Sequence, residues 1–298
     1  MRAAAVCAIA FLLALVVAPP VLEASVLLAA LHDAAHVLVF AVIGALLCML
    51  AEPRRAGFLA LLGLVALFAV GTELAQPYFA GAGSFEVASP GDVARDLLGA
   101  VIGGLAWVAV HRRRRRFFVA ALALLVAGLA PLAFVGWACA QRFLHPAIIW
   151  EADRVTWRVF LDRVTAGTLI RLPGSPYARF TASGDSYAGM AIDEPPPDWR
   201  GYETFVVQLA NPGRVPIALN VRIDDLPRDT EYEDRFNRER TLAPGAVLQW
   251  RIPLADIERG PQDRALDLSH ITRVVIFLSP GSRGASFDIG SVRLERAP

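Results

Sequence analysis

Hydrophobic positions follow two different rhythms along this 298-residue chain. Up to about Leu144 they form long runs, over residues 6–22, 34–50, 57–71, 93–110 and 117–140. Each is about as long as a helix that crosses a ~30 Å hydrocarbon core, the third being the shortest. From Ala147 onward the period becomes two. Phe205, Val207 and Leu209 alternate with Thr204, Val206 and Gln208. Ile217, Leu219, Val221 and Ile223 alternate with Ala218, Asn220, Arg222 and Asp224, and Leu248, Trp250 and Ile252 alternate with Gln249 and Arg251. The run 274–278 is apolar throughout and reads as a buried strand. Asn211-Pro212-Gly213 and Ala243-Pro244-Gly245 are turn signals between such runs. The pattern predicts an α-helical transmembrane bundle of about five helices over residues 1–143. An all-β sandwich over 144–298 follows, long enough for one core.

Composition agrees with two solvents. Hydrophobic residues make up 55% and charged residues 19% of the chain, too apolar for one ordinary soluble domain. All 29 basic residues are arginine, and their placement sets an orientation. Arg2, the pair Arg54 and Arg55, and the run 112–116 all fall on one side of the expected bundle. The positive-inside rule makes that side cytoplasmic. The N-terminus is then cytoplasmic, and the loops 23–33 and 73–92 and everything after Gln141 face outward. This is the layout of a multi-pass protein of the bacterial cytoplasmic membrane with a periplasmic or extracellular C-terminal domain. The first run follows Arg2 and is broken by Pro19 and Pro20. Its poor cleavage pattern near Glu23–Ser25 favours an uncleaved helix over a signal peptide. The five-arginine loop reads as a topology anchor, compatible with anionic lipid. It is too short to carry a nucleic-acid recognition element, so no nucleic acid is expected as a partner. Cys7, Cys48 and Cys139 lie in apolar runs, which leaves the β domain without a disulfide.

Ionisable residues inside membrane helices are costly and mark candidate sites. Here they gather at the outward helix ends: His32, Asp33 and His36 at the second span, Glu73 and Gln76 at the third, Asp92, Arg95 and Asp96 at the fourth. Spacings of three and four residues stack their side chains on one face of each helix. Three readings are open for the cluster Asp33, His36, Glu73, Gln76, Asp92 and Asp96. It serves helix capping and interhelical pairing, or it binds a polar envelope molecule such as a lipid headgroup or glycan, or it forms a membrane-embedded enzyme or metal site. Two histidines with a carboxylate can ligate zinc, but His-x-x-x-His without a zincin glutamate is a weak signal. Neither a nucleophile elbow nor a Gly-rich phosphate loop is present, so no catalytic residue is assigned.

The same residues resemble the VanZ-like family of bacterial membrane proteins. Asp33-x-x-His36 with Phe40 and Gly44, then Glu73-x-x-Gln76, then Asp92, Asp96, Gly99 and Gly103 match that family's order and spacing over residues ~30–110. Two positions depart from it: Asp96 stands for the family's asparagine, and Glu86 for an arginine. The resemblance implies a cell-envelope role, linked through the family's name to the glycopeptide-antibiotic response, without a defined reaction. Gly99, Gly103 and Gly104 have a physical reading of their own, since small residues let helices pack closely.

In the β half, Gln208, Asn220, Arg222, Asp224, Gln249 and Arg251 fall on polar strand faces. If their strands are neighbours they line one surface, with Trp199, Tyr202 or Tyr232 available to stack on a sugar ring. The alternative is a plain solvated sheet face. Tyr187-Ala188-Gly189, the stretch 198–202, Asn211-Pro212, the stretch 242–245, Ile252-Pro253-Leu254 and the closing 287–290 are similar to galactose-binding-like, carbohydrate-binding-module-like jelly rolls. That resemblance implies glycan binding. Asp288 and Glu151 are candidates for a structural calcium in such a fold. No paired glycosidase carboxylates stand out.

Overall fold

The computed structural model describes residues 8–9, 25–51, 60, 63–71, 90–225 and 232–296. The chain divides into two compact units, Met1–Trp137 and Ala138–Pro298. The division falls inside a helix, a little before the boundary expected at 143/144.

In the first unit, helix α1 is Val26–Ala51, α2 is Pro90–His111 and α3, which runs on into the second unit, is Arg115–Leu144. Residues 63–71 are also helical. All three named helices are long and apolar enough to cross a membrane. Ser25 caps α1, its Oγ accepting the Leu28 N–H at 3.1 Å. Close approach of α1 and α2 depends on glycine. A Cβ on Gly103 would sit 1.9 Å from the Ala41 carbonyl oxygen, and one on Gly99 2.5 Å from that of Val37. From the other side, a Cβ on Gly44 would sit 2.4 Å from the Ala100 oxygen. Phe40 and Ile43 pack with Val65 and Ala100, and Val37 with Ile102 and Ala121. Arg113, at φ 48°, follows the end of α2, and α3 begins two residues later, so the basic run spans a short turn between the two helices. Phe118, Val119, Leu122 and Val126 of α3 are exposed. The first expected span lies outside the described residues but for 8–9, as does the start of the third.

The second unit is all-antiparallel. Its strands are β1 Ile148–Glu151, β2 Leu161–Thr165, β3 Gly167–Arg171, β4 Ala178–Ala182, β5 Gly189–Asp193 and β6 Thr204–Ala210. They continue with β7 Ile217–Asp225, β8 Phe236–Leu242, β9 Val247–Pro253, β10 Ile271–Leu278 and β11 Ser286–Glu295, with a short helix α4, Leu254–Glu258, after β9. One sheet has the order β3-β4-β11-β6-β9, with β1 also paired to β11, and the other β2-β5-β10-β7-β8. Two antiparallel sheets with alternating buried residues make a sandwich. Phe180, Phe205, Leu209, Ile252, Phe287 and Ile289 fill the core from the first sheet, and Ile192, Leu219, Val221, Ile223, Val274 and Ile276 from the second; all are wholly buried.

Both predicted turns form. At Ala243-Pro244-Gly245 the Ala246 N–H bonds the Ala243 carbonyl at 3.1 Å, with Gly245 at φ +69° as a type II turn requires. Asn211 accepts the Gly213 N–H and donates to the Val215 and Leu242 carbonyls. The strand expected at 274–278 alternates: Val274, Ile276 and Leu278 are buried, while Val275 and Phe277 face outward. Within this unit Arg142 donates to the carbonyls of Ile149 (2.8 Å), Asp193 (3.0 Å) and Glu194, and lies over the Phe160 ring.

Candidate functional site

The outer face of the five-stranded sheet carries a groove, and strand register assigns its rows. Ala191, Val275, Arg222 and Asn237 stand side by side across β5, β10, β7 and β8. Thr165, Gly189, Phe277, Asn220 and Glu239 form the next row, and Asp193, Arg273 and Asp224 a third. A cavity of about 410 Å³ opens over the first two rows, bordered by Tyr187, Phe277, Val275, Arg222, Arg273 and Asn237. That volume lies within the ~300–1,000 Å³ usual for small-ligand sites.

The floor is low because its residues are small. Gly189 is required there, since a Cβ would meet the Ile276 carbonyl oxygen at 2.3 Å and the Phe277 Cβ at 2.4 Å. Phe277 therefore leans over β5 and meets Tyr187 edge-on, with ring centroids 5.7 Å apart and planes at 70°. Tyr187 is 64% exposed. The polar groups around the rings are held in place. Arg222 gives its Nε–H to Asp224 at 2.7 Å, and Arg273 binds both oxygens of Asp193. Asn220 donates to Ser279 Oγ at 2.8 Å, and that hydroxyl donates to Glu239. An exposed aromatic ring beside fixed guanidinium and amide donors offers both stacking and hydrogen bonds to a polar cyclic ligand.

The surface expected from the strand faces does not form as one patch. Asn220, Arg222 and Asp224 lie on this grooved face, but Gln208, Gln249 and Arg251 belong to β6 and β9 of the other sheet. There the polar groups satisfy one another. Gln208 donates to Tyr177 Oη at 2.8 Å and Arg251 pairs with Glu295, to which Arg293 also binds. Trp199 is 0% exposed, stacked on Phe205 and bonded to the Pro196 carbonyl, so it is a core residue and not a sugar platform. Tyr202 is half-buried, with the Arg296 guanidinium over its ring. The Tyr232 side chain lies outside the described residues. The two candidate calcium carboxylates are engaged by cations of the chain itself. Arg179 grips both oxygens of Asp288 at 2.7 and 2.9 Å, and Arg154 binds Glu151.

A second cluster lies in the helical unit. His36 Nδ1 and Asp96 Oδ1 are 2.8 Å apart, with the two side chains 2% and 0% exposed. His36 Nε2 is 3.3 Å from His32 Nε2. Arg95 bridges Asp92 and Asp33. Asp33, His36, Asp92 and Asp96 thus meet across α1 and α2, while Glu73 and Gln76 lie outside the described residues. Asp96 Oδ2 is buried without a hydrogen-bond partner among the described residues. A buried imidazole–carboxylate pair ties two apolar helices and fixes the ring's orientation. Among the described residues, no group of three His, Cys, Asp or Glu side chains is disposed to hold a metal ion.

Arg273, Arg235 and Asn237 are groove residues that the sequence pattern does not single out. Arg273 and Asn237 sit on outward strand positions, but nothing local says that β8 and β10 flank β7.

No family model and no curated protein matches the chain. Among solved structures it is similar to an exo-β-agarase at 13% identity, covering 51% of this chain and 25% of that one, with a TM-score of 0.41. The chain therefore spans about a quarter of that enzyme. It is also similar to the family 11 carbohydrate-binding module of Clostridium thermocellum solved with a β-1,3-1,4-mixed-linked tetrasaccharide, at 14% identity, 44% and 82% coverage and a TM-score of 0.34. A family 29 carbohydrate-binding module mutant solved with cellulohexaose gives 13% identity, 50% and 89% coverage and a TM-score of 0.34. These scores are too low to establish a shared fold, and the sandwich rests on this chain's own strand pairing.

Proposed function

We propose that the chain is a multi-pass envelope protein whose β-sandwich binds glycan in the groove of its five-stranded sheet. The observation that carries this reading is the ring pair Tyr187 and Phe277 beside Asn237 and the fixed guanidinium groups of Arg222 and Arg273, over a floor of Gly189 and Ala191. Sugars combine apolar C–H faces with hydroxyls, and such a groove meets both. The arginine-rich loops support placing the sandwich outside the cytoplasmic membrane. The VanZ-like motif order supports a role in the cell envelope, with the glycopeptide-antibiotic response as one setting. In this reading the His36–Asp96 pair ties α1 to α2.

The test is oligosaccharide binding to the full chain in nanodiscs free of glycolipid. Tyr187→Ala is expected to weaken binding several-fold to about tenfold, the worth of one aromatic contact. Gln249→Ala, on the opposite sheet, is expected to leave it unchanged. Binding that ignores Tyr187→Ala, or no binding to any oligosaccharide, overturns the proposal.

A further inference from the structure

The charge of the groove narrows its ligand. The residues lining the cavity include three arginines, Arg222, Arg235 and Arg273, and no carboxylate. Asp224 and Asp193 stand in the row beyond and hold Arg222 and Arg273 from the side. This arrangement sets the guanidinium planes before any ligand arrives, so little side-chain entropy is lost on binding. It also leaves donors to use. Arg222 spends its Nε–H on Asp224, and its two Nη amino groups make no hydrogen bond among the described residues. A guanidinium edge with free donors matches the two oxygens of a carboxylate, bonds that are shorter and stronger than those to a hydroxyl. Tyr187, exposed beside Phe277, lines the same cavity and offers a sugar ring an aromatic face.

We infer that the groove selects glycans whose sugar units carry a carboxylate, with Arg222 as the residue that distinguishes acid from neutral sugar. This inference rests on the glycan-binding reading above and adds the ligand's charge to it. A neutral glycan would place a hydroxyl opposite Arg222, and exchange water for it with little gain.

The experiment compares oligogalacturonides with their methyl esters, the same sugar backbone with the charge removed, on the full chain in zwitterionic nanodiscs. Neutral cello-oligosaccharides are run alongside, all at physiological ionic strength. The acid form is expected to bind at least about tenfold more tightly than the ester. The double variant Arg222→Gln/Asp224→Asn removes the ion pair as a unit, so neither charge is left alone, and is expected to bring the ratio of acid to ester affinity to about one. Arg222→Lys, which keeps the charge but not the fork, is expected to retain only part of it. Unfolding temperatures matching the parent chain establish that the variants fold. Equal affinity for acid and ester overturns the inference and leaves the glycan-binding reading standing. A preference that survives in the double variant places the acid elsewhere and also overturns it. No binding of any of these or other oligosaccharides overturns both.

Discussion

At Arg264 one guanidinium serves two aspartates. Its Nη1 and Nη2 each reach an oxygen of Asp225 at 2.6 Å, and its Nε and Nη2 reach Asp234. The Asp225 side chain is 1% exposed and also accepts the Asp267 N–H at 2.6 Å. Removing the arginine strands a buried carboxylate, so Arg264→Ala is expected to cost about 3–5 kcal/mol of sandwich stability. The acid limb of the same unfolding experiment has a sign that can be worked out. The hydrogen bond from Arg264 holds Asp234 below the ordinary aspartate range, and those from Arg200 hold Asp198 down at about 2. A carboxyl depressed in the folded state contributes its stability above the unfolded value of ~3.9, and loses it as pH falls through the folded value. The unfolding temperature of the sandwich is therefore expected to be level from neutral pH to about 5, then to fall as the pH drops from about 4 toward 2. In Arg264→Ala the plateau is lower and the fall shallower. A steeper acid limb in the variant would contradict this assignment. The Arg264 partnerships are not legible in the sequence, because β8, β9 and α4 separate Arg264 from both aspartates along the chain.

At the scale of elements, the glycines of α1 and α2 carry the clearest message. Gly99 and Gly103 face Val37 and Ala41 with no room for a methyl group, whereas a Cβ on Gly136 of α3 would meet nothing within 4 Å. Gly103→Ala should therefore separate the helix pair and destabilise it by about 1–3 kcal/mol, and Gly136→Ala should be neutral, as read by thermal unfolding in detergent. The spacing of small residues marks that packing face in the sequence alone. The strands are legible where alternation is strict, as in β7 and β9. β10 is not, because outward-facing Val275 and Phe277 are themselves apolar, and their row looks continuous with the buried one. Their exposure to the groove makes sense of an apolar residue on a solvent face.

For the whole molecule, the distribution of arginine makes a prediction that the helices alone do not. If the run 112–116 is cytoplasmic, the sandwich is outside. In intact spheroplasts, a membrane-impermeant maleimide is expected to label Arg283→Cys, on an exposed turn of the sandwich, and to spare Arg113→Cys until the membrane is permeabilised. The native cysteines Cys7, Cys48 and Cys139 all lie in apolar runs and give a low background. Labelling of Arg113→Cys from outside would reverse the orientation.

Periodicity alone determined that an apolar helical half precedes a β-rich half, where the best turns fall, and which helix faces hold small and ionisable residues. These are local properties, set by backbone geometry and by the cost of placing polar groups in an apolar solvent. Which polar strand residues share a surface is not local. Gln208 and Asn220 look alike in the sequence, yet the pairing order β9-β6-β11 in one sheet and β8-β7-β10 in the other sends them to opposite faces of the sandwich. Trp199 likewise looks like an aromatic platform until packing on Phe205 buries it. The groove with Tyr187, Phe277 and Arg222 was decided by tertiary structure, because strand order across a sheet follows from how the whole core closes and not from any stretch of the chain.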